Sequence, residues 1–253
     1  MVEAGSMTFG IIGLGHIGSA IAGALRNHAA AQVVGTKRGD DNVALVRTSD
    51  VVVLAVKPRE ARAVVEAIAG ELRGKLLVSV CAGITIADLR AWSKDAPAIV
   101  RAMPNLPGLI GAGMTVLAAD HATSPEQLGA AINLFGTMGR TAVLDEALLD
   151  AVTGLSGCGP GYAFLIIDAL AAAGTQLGID TPTATLLAAQ TLLGAAQMVL
   201  EGGVAPAALK DQVATPGGCT VEGLAVLEQR DVRNALVDAV TAATQRSVAL
   251  RGG

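Results

Sequence analysis

Near Asp145 the hydrophobic pattern of this 253-residue chain changes period, and that change limits the folds open to it. Before it, short apolar runs at 9–12, 32–35, 50–56, 76–80, 98–101, 114–118 and 140–144 alternate with helical patterns. Runs of that length between helices predict βαβ units and a parallel sheet. The segment 17–27 sets Ile17, Ile21, Ala24 and Leu25 on one helical face. After Asp145 no β-rich run appears. Helical patterns follow one another over 146–155, 160–177, 182–200, 205–212, 220–229 and 231–250, with Gly178, Gly202-Gly203 and Pro206 as stops and starts. The expected class is an α/β domain over residues 1–145 followed by an all-helical domain over residues 146–253.

A glycine loop, Gly13-Leu14-Gly15-His16-Ile17-Gly18, follows the first strand and opens the first helix. In that context the three glycines allow a tight turn, close approach of backbone to a pyrophosphate, and close helix–strand packing. The first domain therefore reads as Rossmann-like and dinucleotide-binding. His16 reads as a solvated loop residue near the phosphates. An acid at the end of the second strand would grip a ribose 2′-hydroxyl; this chain has Gly35-Thr36-Lys37-Arg38 instead. A hydroxyl and two cations suit a 2′-phosphate, so NADPH is the expected cofactor and NADH a possible one, given Asp40-Asp41 close by. Open α/β sheets bind ligands at the carboxyl ends of their strands. Ala55-Val56-Lys57-Pro58, Cys81-Ala82-Gly83 and Asn105 occupy such places. Lys57 reads equally as a phosphate contact and as a surface lysine. Asn105, between two prolines, offers an amide to ribose or nicotinamide.

A second anion cradle lies in the helical half: Thr215-Pro216-Gly217-Gly218-Cys219-Thr220. Glycines before a helix let backbone N–H groups turn inward at the positive end of the helix dipole. Thr215, Gly217, Gly218, Cys219 and Thr220 are the candidate substrate contacts, and Thr220 is the candidate catalytic group. What is absent narrows the chemistry. His16, His28 and His121 all precede the helical half, and after Lys94 the only lysine is Lys210. The single tyrosine, Tyr162, has no lysine one turn later. An alcohol or carbonyl substrate needs a positioned acid or base. A cyclic imine can arrive already protonated and needs little. The stretch Gly154-Leu155-Ser156-Gly157-Cys158-Gly159-Pro160-Gly161-Tyr162 opens a long apolar helix, with Pro160 suited to its first turn. Its glycines permit close approach to a nicotinamide or to another helix. Cys158 reads as a small packing residue in preference to a nucleophile, since no histidine accompanies it.

Bulk properties exclude several classes. Formal net charge is −4, charged residues are 16% and aromatic residues 2%, so neither nucleic acid nor an anionic membrane is an expected partner. Hydrophobic content is 52% and mean hydropathy +0.54, with the surplus in the helical half, which predicts an oligomer interface. Cys81, Cys158 and Cys219 form no zinc spacing and no disulfide framework, so no metal is expected and a cytoplasmic home is. Residues 1–7 read as a leader, with neither the basic start nor the apolar core of a signal peptide. The apolar stretch 162–173 is interrupted by Asp168 and reads as too short to span a bilayer.

The chain resembles the pyrroline-5-carboxylate reductase family. The resemblance rests on residues 13–18, on Ala55-Val56-Lys57-Pro58, on Arg101-Ala102-Met103-Pro104-Asn105, and on residues 152–162 with Leu209-Lys210-Asp211 and residues 215–220. It implies reduction of 1-pyrroline-5-carboxylate to L-proline, the last step of proline biosynthesis, with NADPH or NADH as hydride donor. It also implies a helical domain that dimerises by interleaving, as a homodimer or a ring of dimers such as a decamer. By motif match the substrate carboxylate lies on residues 215–220 and the Thr220 hydroxyl meets the ring nitrogen. This chain departs from the family in four places. The family places a helix and a strand after the NADP-selecting turn, whereas here Arg38 is followed by Asp40-Asp41-Asn42 and residues 43–49, leaving the adenine side more open. Cys158 stands for a serine, Gly161 for an alanine and Leu106 for a threonine. A related cyclic imine in a specialised pathway and a non-catalytic cofactor-binding regulator are the alternative readings. A β-hydroxyacid dehydrogenase is disfavoured, because residues 160–177 lack that family's lysine.

Overall fold

The structure, a computed structural model, describes residues 7–26, 31–94 and 98–250. Residues 1–6 of the expected leader, Asn27 at the end of the first helix, and His28 lie outside the described residues. The first part runs β1 (Met7–Ile12), α1 (His16–Arg26), β2 (Ala31–Thr36), α2 (Asn42–Arg47), β3 (Val51–Leu54), α3 (Pro58–Ile68), β4 (Leu76–Ser79), α4 (Ile86–Ser93), β5 (Ala98–Met103), β6 (Gly113–Ala119), α5 (Pro125–Gly136) and β7 (Gly139–Val143). The helices follow: α6 (Leu149–Val152), α7 (Gly159–Gln176), α8 (Thr181–Gly202), α9 (Pro206–Val213), α10 (Cys219–Gln229) and α11 (Val232–Ala249).

The seven strands form one sheet in the order β2-β1-β3-β4-β5-β6-β7. Both faces of its centre are covered, because strands with continuous apolar runs can hide them only between two helical layers. Val51 and Val53 point to one side, with Ile21 and Leu25 of α1 and Leu134 and Phe135 of α5. Val52 and Leu54 point to the other, with Leu45 and Val46 of α2, Val65 of α3 and Leu89 of α4. Local signals start the helices. Thr85 with Asp88 forms a capping box on α4, Ser124 with Gln127 forms one on α5, and Pro58 opens α3.

One expectation of the sequence needs correction. The strands from β2 through β5 are parallel, but β6 runs antiparallel to β5 and only β7 returns to run beside it in parallel. The cause is the short connection 104–112, which holds a 3₁₀ turn at Leu106–Ile110. A parallel return needs a crossover of about a dozen residues or more, so this chain must double back.

The described residues divide into two compact units. One runs to Cys158 and resumes at Thr241; the other is Gly159–Val240. The first unit includes α6, which packs Leu149 and Val152 against Val116 and Ala118 of β6. It also holds two polar links. Arg101 Nη1 donates to Glu146 Oε1 at 2.7 Å, and the same oxygen accepts from Ile86 N at 2.7 Å. Ser247 Oγ donates to Asp150 Oδ1 at 2.8 Å, both residues being buried.

In the second unit α7 and α8 meet through Ala171, Ala184 and Ala188. Asp180 caps α8 by accepting from Thr183 N, and Gly203 ends it at φ +61°. Most large apolar side chains of these helices stay exposed in the protomer, among them Phe164, Leu165, Leu186, Leu187 and Leu193. The helical stretches Glu146–Gln176 and Thr181–Gly202 each reach a mean hydropathy of 1.4, and by length and composition alone they could cross a bilayer. This overturns the expectation that the apolar stretch is too short. Asp168 interrupts the composition but not the helix, and one charge hardly lowers the average.

Arg101 is buried and Glu146 is its anion, so Glu146→Ala should destabilise the first unit. Breaking a buried pair costs about 3–5 kcal/mol; partial exposure of Glu146 brings the expected loss down to about 2–3 kcal/mol. Glu146→Gln keeps an acceptor for both donors and should cost less. Denaturant midpoints at one fixed protein concentration check this order.

Candidate active site

The strand order changes direction between β1 and β3, and at this switch point their carboxyl ends open a groove. The glycine loop forms its floor. Gly13 has φ +98°, and its N and that of Leu14 both donate to Thr36 O, at 3.0 and 2.9 Å. A Cβ on Gly13 would lie 2.7 Å from Ala55 O, and one on Gly18 would lie 2.1 Å from Gly13 O. Only glycine lets the loop, α1 and β3 come this close. Gly15 is different: nothing lies within 4 Å of its missing Cβ, so the loop is open on that side. The amides that begin α1, at His16 and Ile17, have no carbonyl ahead of them in the helix. An open glycine beside unpaired helix-start amides fits a pyrophosphate.

The groove encloses about 530 Å³ and is lined by Ile12, Gly13, Gly15, Lys37, Arg38, Gly39, Asn42, Ala55, Val56, Lys57, Arg59 and Glu60, with Ala63 and Val64. Many expected cofactor residues thus converge. Others take supporting places. Thr36 is 6% exposed and its hydroxyl donates to Asn42 Oδ1 at 2.7 Å, so Lys37 and Arg38, not Thr36, line the groove. Asp40 accepts from Lys37 N at 2.8 Å and shapes the turn. Pro58 sits at the start of α3, with Lys57 as the residue before the helix. Cys81 is buried, its thiol donating to Leu54 O and Val56 O at 3.5 and 3.3 Å. Burial pushes this thiol up to about 11. Ala82 is exposed, and Gly83, at φ +77°, would place a Cβ 3.3 Å from Leu250 O. Asn105 is engaged on both sides of its amide: Oδ1 accepts from Met114 N at 2.9 Å and Nδ2 donates to Ser156 O at 3.2 Å. In this structure that side chain is a strut between β6 and the segment Thr153–Gly157.

That segment is a π turn, closed by Cys158 N donating to Thr153 O at 2.8 Å. A Cβ on Gly157 would lie 2.5 Å from Met103 Cε, which explains a glycine there. Nothing lies within 4 Å of the missing Cβ of Gly161, and Cys158 is exposed.

Sequence reasoning missed Arg59, Glu60, Gly39 and Asn42. The signal for the first two was present. A proline at the first position of α3 places residues 59 and 60 in the opening turn, above the carboxyl end of β3.

In the helical unit, Thr215-Pro216-Gly217-Gly218 makes a tight turn. Gly218 N donates to Thr215 O at 2.9 Å, Pro216 takes the first central position and Gly217, at φ +75°, the second, as a type II turn demands. A Cβ on Gly218 would lie 2.7 Å from Thr215 Oγ1. Gly218 is the N-cap of α10 and no side chain caps that helix. Thr220 is therefore the second helical residue and not a cap. It is exposed, as is Thr215, and its hydroxyl makes no hydrogen bond among the described residues. A groove of about 640 Å³ in this unit, lined by Lys210, Leu227, Asp231, Arg233 and Leu236 among others, does not include the turn.

A domain family described as pyrroline-5-carboxylate reductase dimerisation matches residues 146–250, and one described as NADP oxidoreductase, coenzyme F420-dependent, matches residues 39–83. A pyrroline-5-carboxylate reductase of Glycine max is 38% identical over an alignment that covers 97% of this chain and 97% of that protein. The chain belongs to the pyrroline-5-carboxylate reductase family. The enzyme of that name from Synechocystis is 42% identical, covering 82% of this chain and 77% of that protein. The crystal structure of the Plasmodium falciparum pyrroline carboxylate reductase with NADP bound is 30% identical, with a TM-score of 0.90 and coverage of 98% and 99% of the two chains. A Rossmann-like domain followed by a helical dimerisation domain is the fold shared with these reductases.

The buried Cys81 thiol offers a direct check on the groove wall. With its ionisation pushed up to about 11, it stays protonated at pH 8, where a thiolate reagent attacks. Native protein should leave Cys81 unlabelled at pH 8, and denatured protein should label it, as read by peptide mass mapping.

Proposed function

We propose that this chain is an NAD(P)H-dependent oxidoreductase that reduces 1-pyrroline-5-carboxylate to L-proline, with NADPH as hydride donor and NADH as a second one. The observation that carries the reading is near full-length kinship with pyrroline-5-carboxylate reductases in a chain whose glycine loop and Thr215–Thr220 turn keep their shapes.

The reduced nicotinamide supplies the hydride for the C=N bond. The chain's own residues bind and orient. Gly13, Gly15 and Gly18 let the backbone approach the pyrophosphate, and the amides at Gly15, His16 and Ile17 would hold it. Lys37 and Arg38 would hold a 2′-phosphate, on a turn anchored by Thr36. Ala55, Val56, Lys57 and Pro58 form the β3 edge of the groove, and Cys81, Ala82 and Gly83 the edge beyond β4. Asn105 enters as the residue that braces this end of the sheet. In the helical unit, the amides of Gly217, Gly218 and Cys219 with the Thr215 hydroxyl would hold the substrate carboxylate. The Thr220 hydroxyl would bond the ring nitrogen, whose charge changes as the iminium becomes an amine. A fixed bond there orients the imine carbon for attack.

The reading extends to assembly and place. Helices α7 and α8 bury little more than alanines against each other, while Phe164, Leu165 and Leu193 stay exposed. A second copy of the chain is the partner we infer for these faces, because residues 146–250 match a dimerisation domain. A ring of such dimers is the larger form, and neither membrane nor nucleic acid is part of the reading. Three free thiols suit a cytoplasmic setting. We take residues 1–145 as the cofactor domain and 146–253 as the dimerisation and substrate domain.

Purified protein should oxidise NADPH when given the cyclic imine; no oxidation above background with NADPH or NADH would refute the activity. Thr220→Val keeps the shape and, since Gly218 is the cap, leaves the helix start intact. Losing a bond to a charged group costs about 1.5–3 kcal/mol, so kcat/KM should fall roughly ten- to a hundredfold with cofactor affinity unchanged. Thr215→Val should act mainly on KM. Replacing Lys37 and Arg38 together by alanine should raise KM for NADPH far more than for NADH, by at least about tenfold in the ratio. Steady-state kinetics with both cofactors reads all three.

A further inference from the structure

The end of β2 carries no acid, yet a carboxylate reaches the same groove from another element. Glu60, in the first turn of α3, lines the groove together with Lys37, Arg38, Asn42 and Arg59. Its Oε1 accepts from Arg38 Nη2. The acids nearer in sequence are committed elsewhere: Asp40 to the Lys37 amide at 2.8 Å, Asp41 to the Ala44 amide at 3.0 Å. Neither of them lines the groove, where Glu60 is the sole carboxylate among the described lining residues.

We propose that Glu60 sets cofactor specificity by competing with a 2′-phosphate for Arg38 and by offering an acceptor to a free ribose 2′-hydroxyl, so that it narrows the preference for NADPH over NADH. The proposal rests on the NAD(P)H reading above. A 2′-phosphate must draw Arg38 away from Glu60 and sit near a like charge. Lys37 and Arg59 offset that repulsion. With NADH nothing needs to move: Arg38 stays paired, and a 2′-hydroxyl can donate to a carboxylate that already faces the groove.

Magnitudes decide that the effect narrows the preference and does not reverse it. The Arg38 side chain is 81% exposed. Exposed ion pairs are typically worth a factor of about two to five. A charge-assisted bond from guanidinium to phosphate is worth about tenfold or more. The phosphate therefore wins Arg38, at a discount set by Glu60.

The test is binding, independent of turnover. NADPH, NADH, adenosine 2′,5′-bisphosphate and 5′-AMP are titrated calorimetrically into wild type, Glu60→Gln, Arg38→Ala and the double variant, with circular dichroism as the folding check. Glu60→Gln should tighten NADPH and the bisphosphate by about two- to fivefold and weaken NADH, moving the Kd ratio at least about fivefold toward NADPH. In the Arg38→Ala background the tightening should disappear, because the competition is for that guanidinium. A wild type that binds the dinucleotides, with a Kd ratio unmoved by Glu60→Gln, overturns the proposal alone. A wild type that binds neither overturns the cofactor reading and the proposal with it.

Discussion

The contact on which the rest of the cofactor unit depends is a glycine against a carbonyl. A Cβ on Gly18 would stand 2.1 Å from Gly13 O, and one on Gly13 would stand 2.7 Å from Ala55 O. No side chain fits in either place. These two absences let α1 start against the ends of β1 and β3. From that start follow the position of Ile21 and Leu25 in the core, and the direction in which the helix presents its first amides. The same closeness leaves the groove open at Gly15, where nothing approaches. Packing and binding therefore draw on one local geometry. A larger residue at either glycine would push the helix off the sheet as well as fill the loop.

The electrostatics of the groove are built from elements far apart in sequence. Lys37 and Arg38 come from the turn after β2, Lys57 from the residue before α3, Arg59 and Glu60 from its first turn. Pro58 links the last three, since it starts the helix where β3 ends. Behind this wall Thr36 and Asn42 bond each other and hold the turn in place, and Cys81 closes the space between β3 and β4 with a thiol that burial keeps neutral. The helical unit has a different economy. Its helices pack through alanines and leave leucines outward, so a protomer alone leaves much apolar surface in water, and fully burying each such side chain is worth about 1.5–3 kcal/mol.

Much of this was legible in the chain itself. Periodicity located all seven strands and the run of helices, because a strand buried on both faces must be apolar throughout and a helix must repeat near every fourth residue. The glycine loop, the basic turn at Lys37-Arg38 and the turn at Thr215–Gly218 were legible for a related reason: a tight turn, a close approach or a positive φ demands particular residues wherever it occurs. The direction of β6 was missed, although the short connection 104–112 already required it. The length of the apolar helices was missed because Asp168 was taken as an interruption of structure when it interrupts only composition.

Tertiary structure decided the partners of side chains. Asn105 looked like a ligand contact, and its amide instead ties Met114 to Ser156, a residue fifty-one positions away. Thr36 looked like part of the basic turn's binding face, and it is buried under it. Glu60 looked like an ordinary first-turn acid, and it faces a groove whose other wall begins at Ile12. Thr220 had two readings, and only the position of the cap at Gly218 separates them. The sequence alone determined which segments become strands, helices and tight turns, because those depend on neighbours within a few residues. Which charges meet and which hydroxyls stay free depends on contacts between distant segments, and these exist only once the sheet has brought its strand ends together.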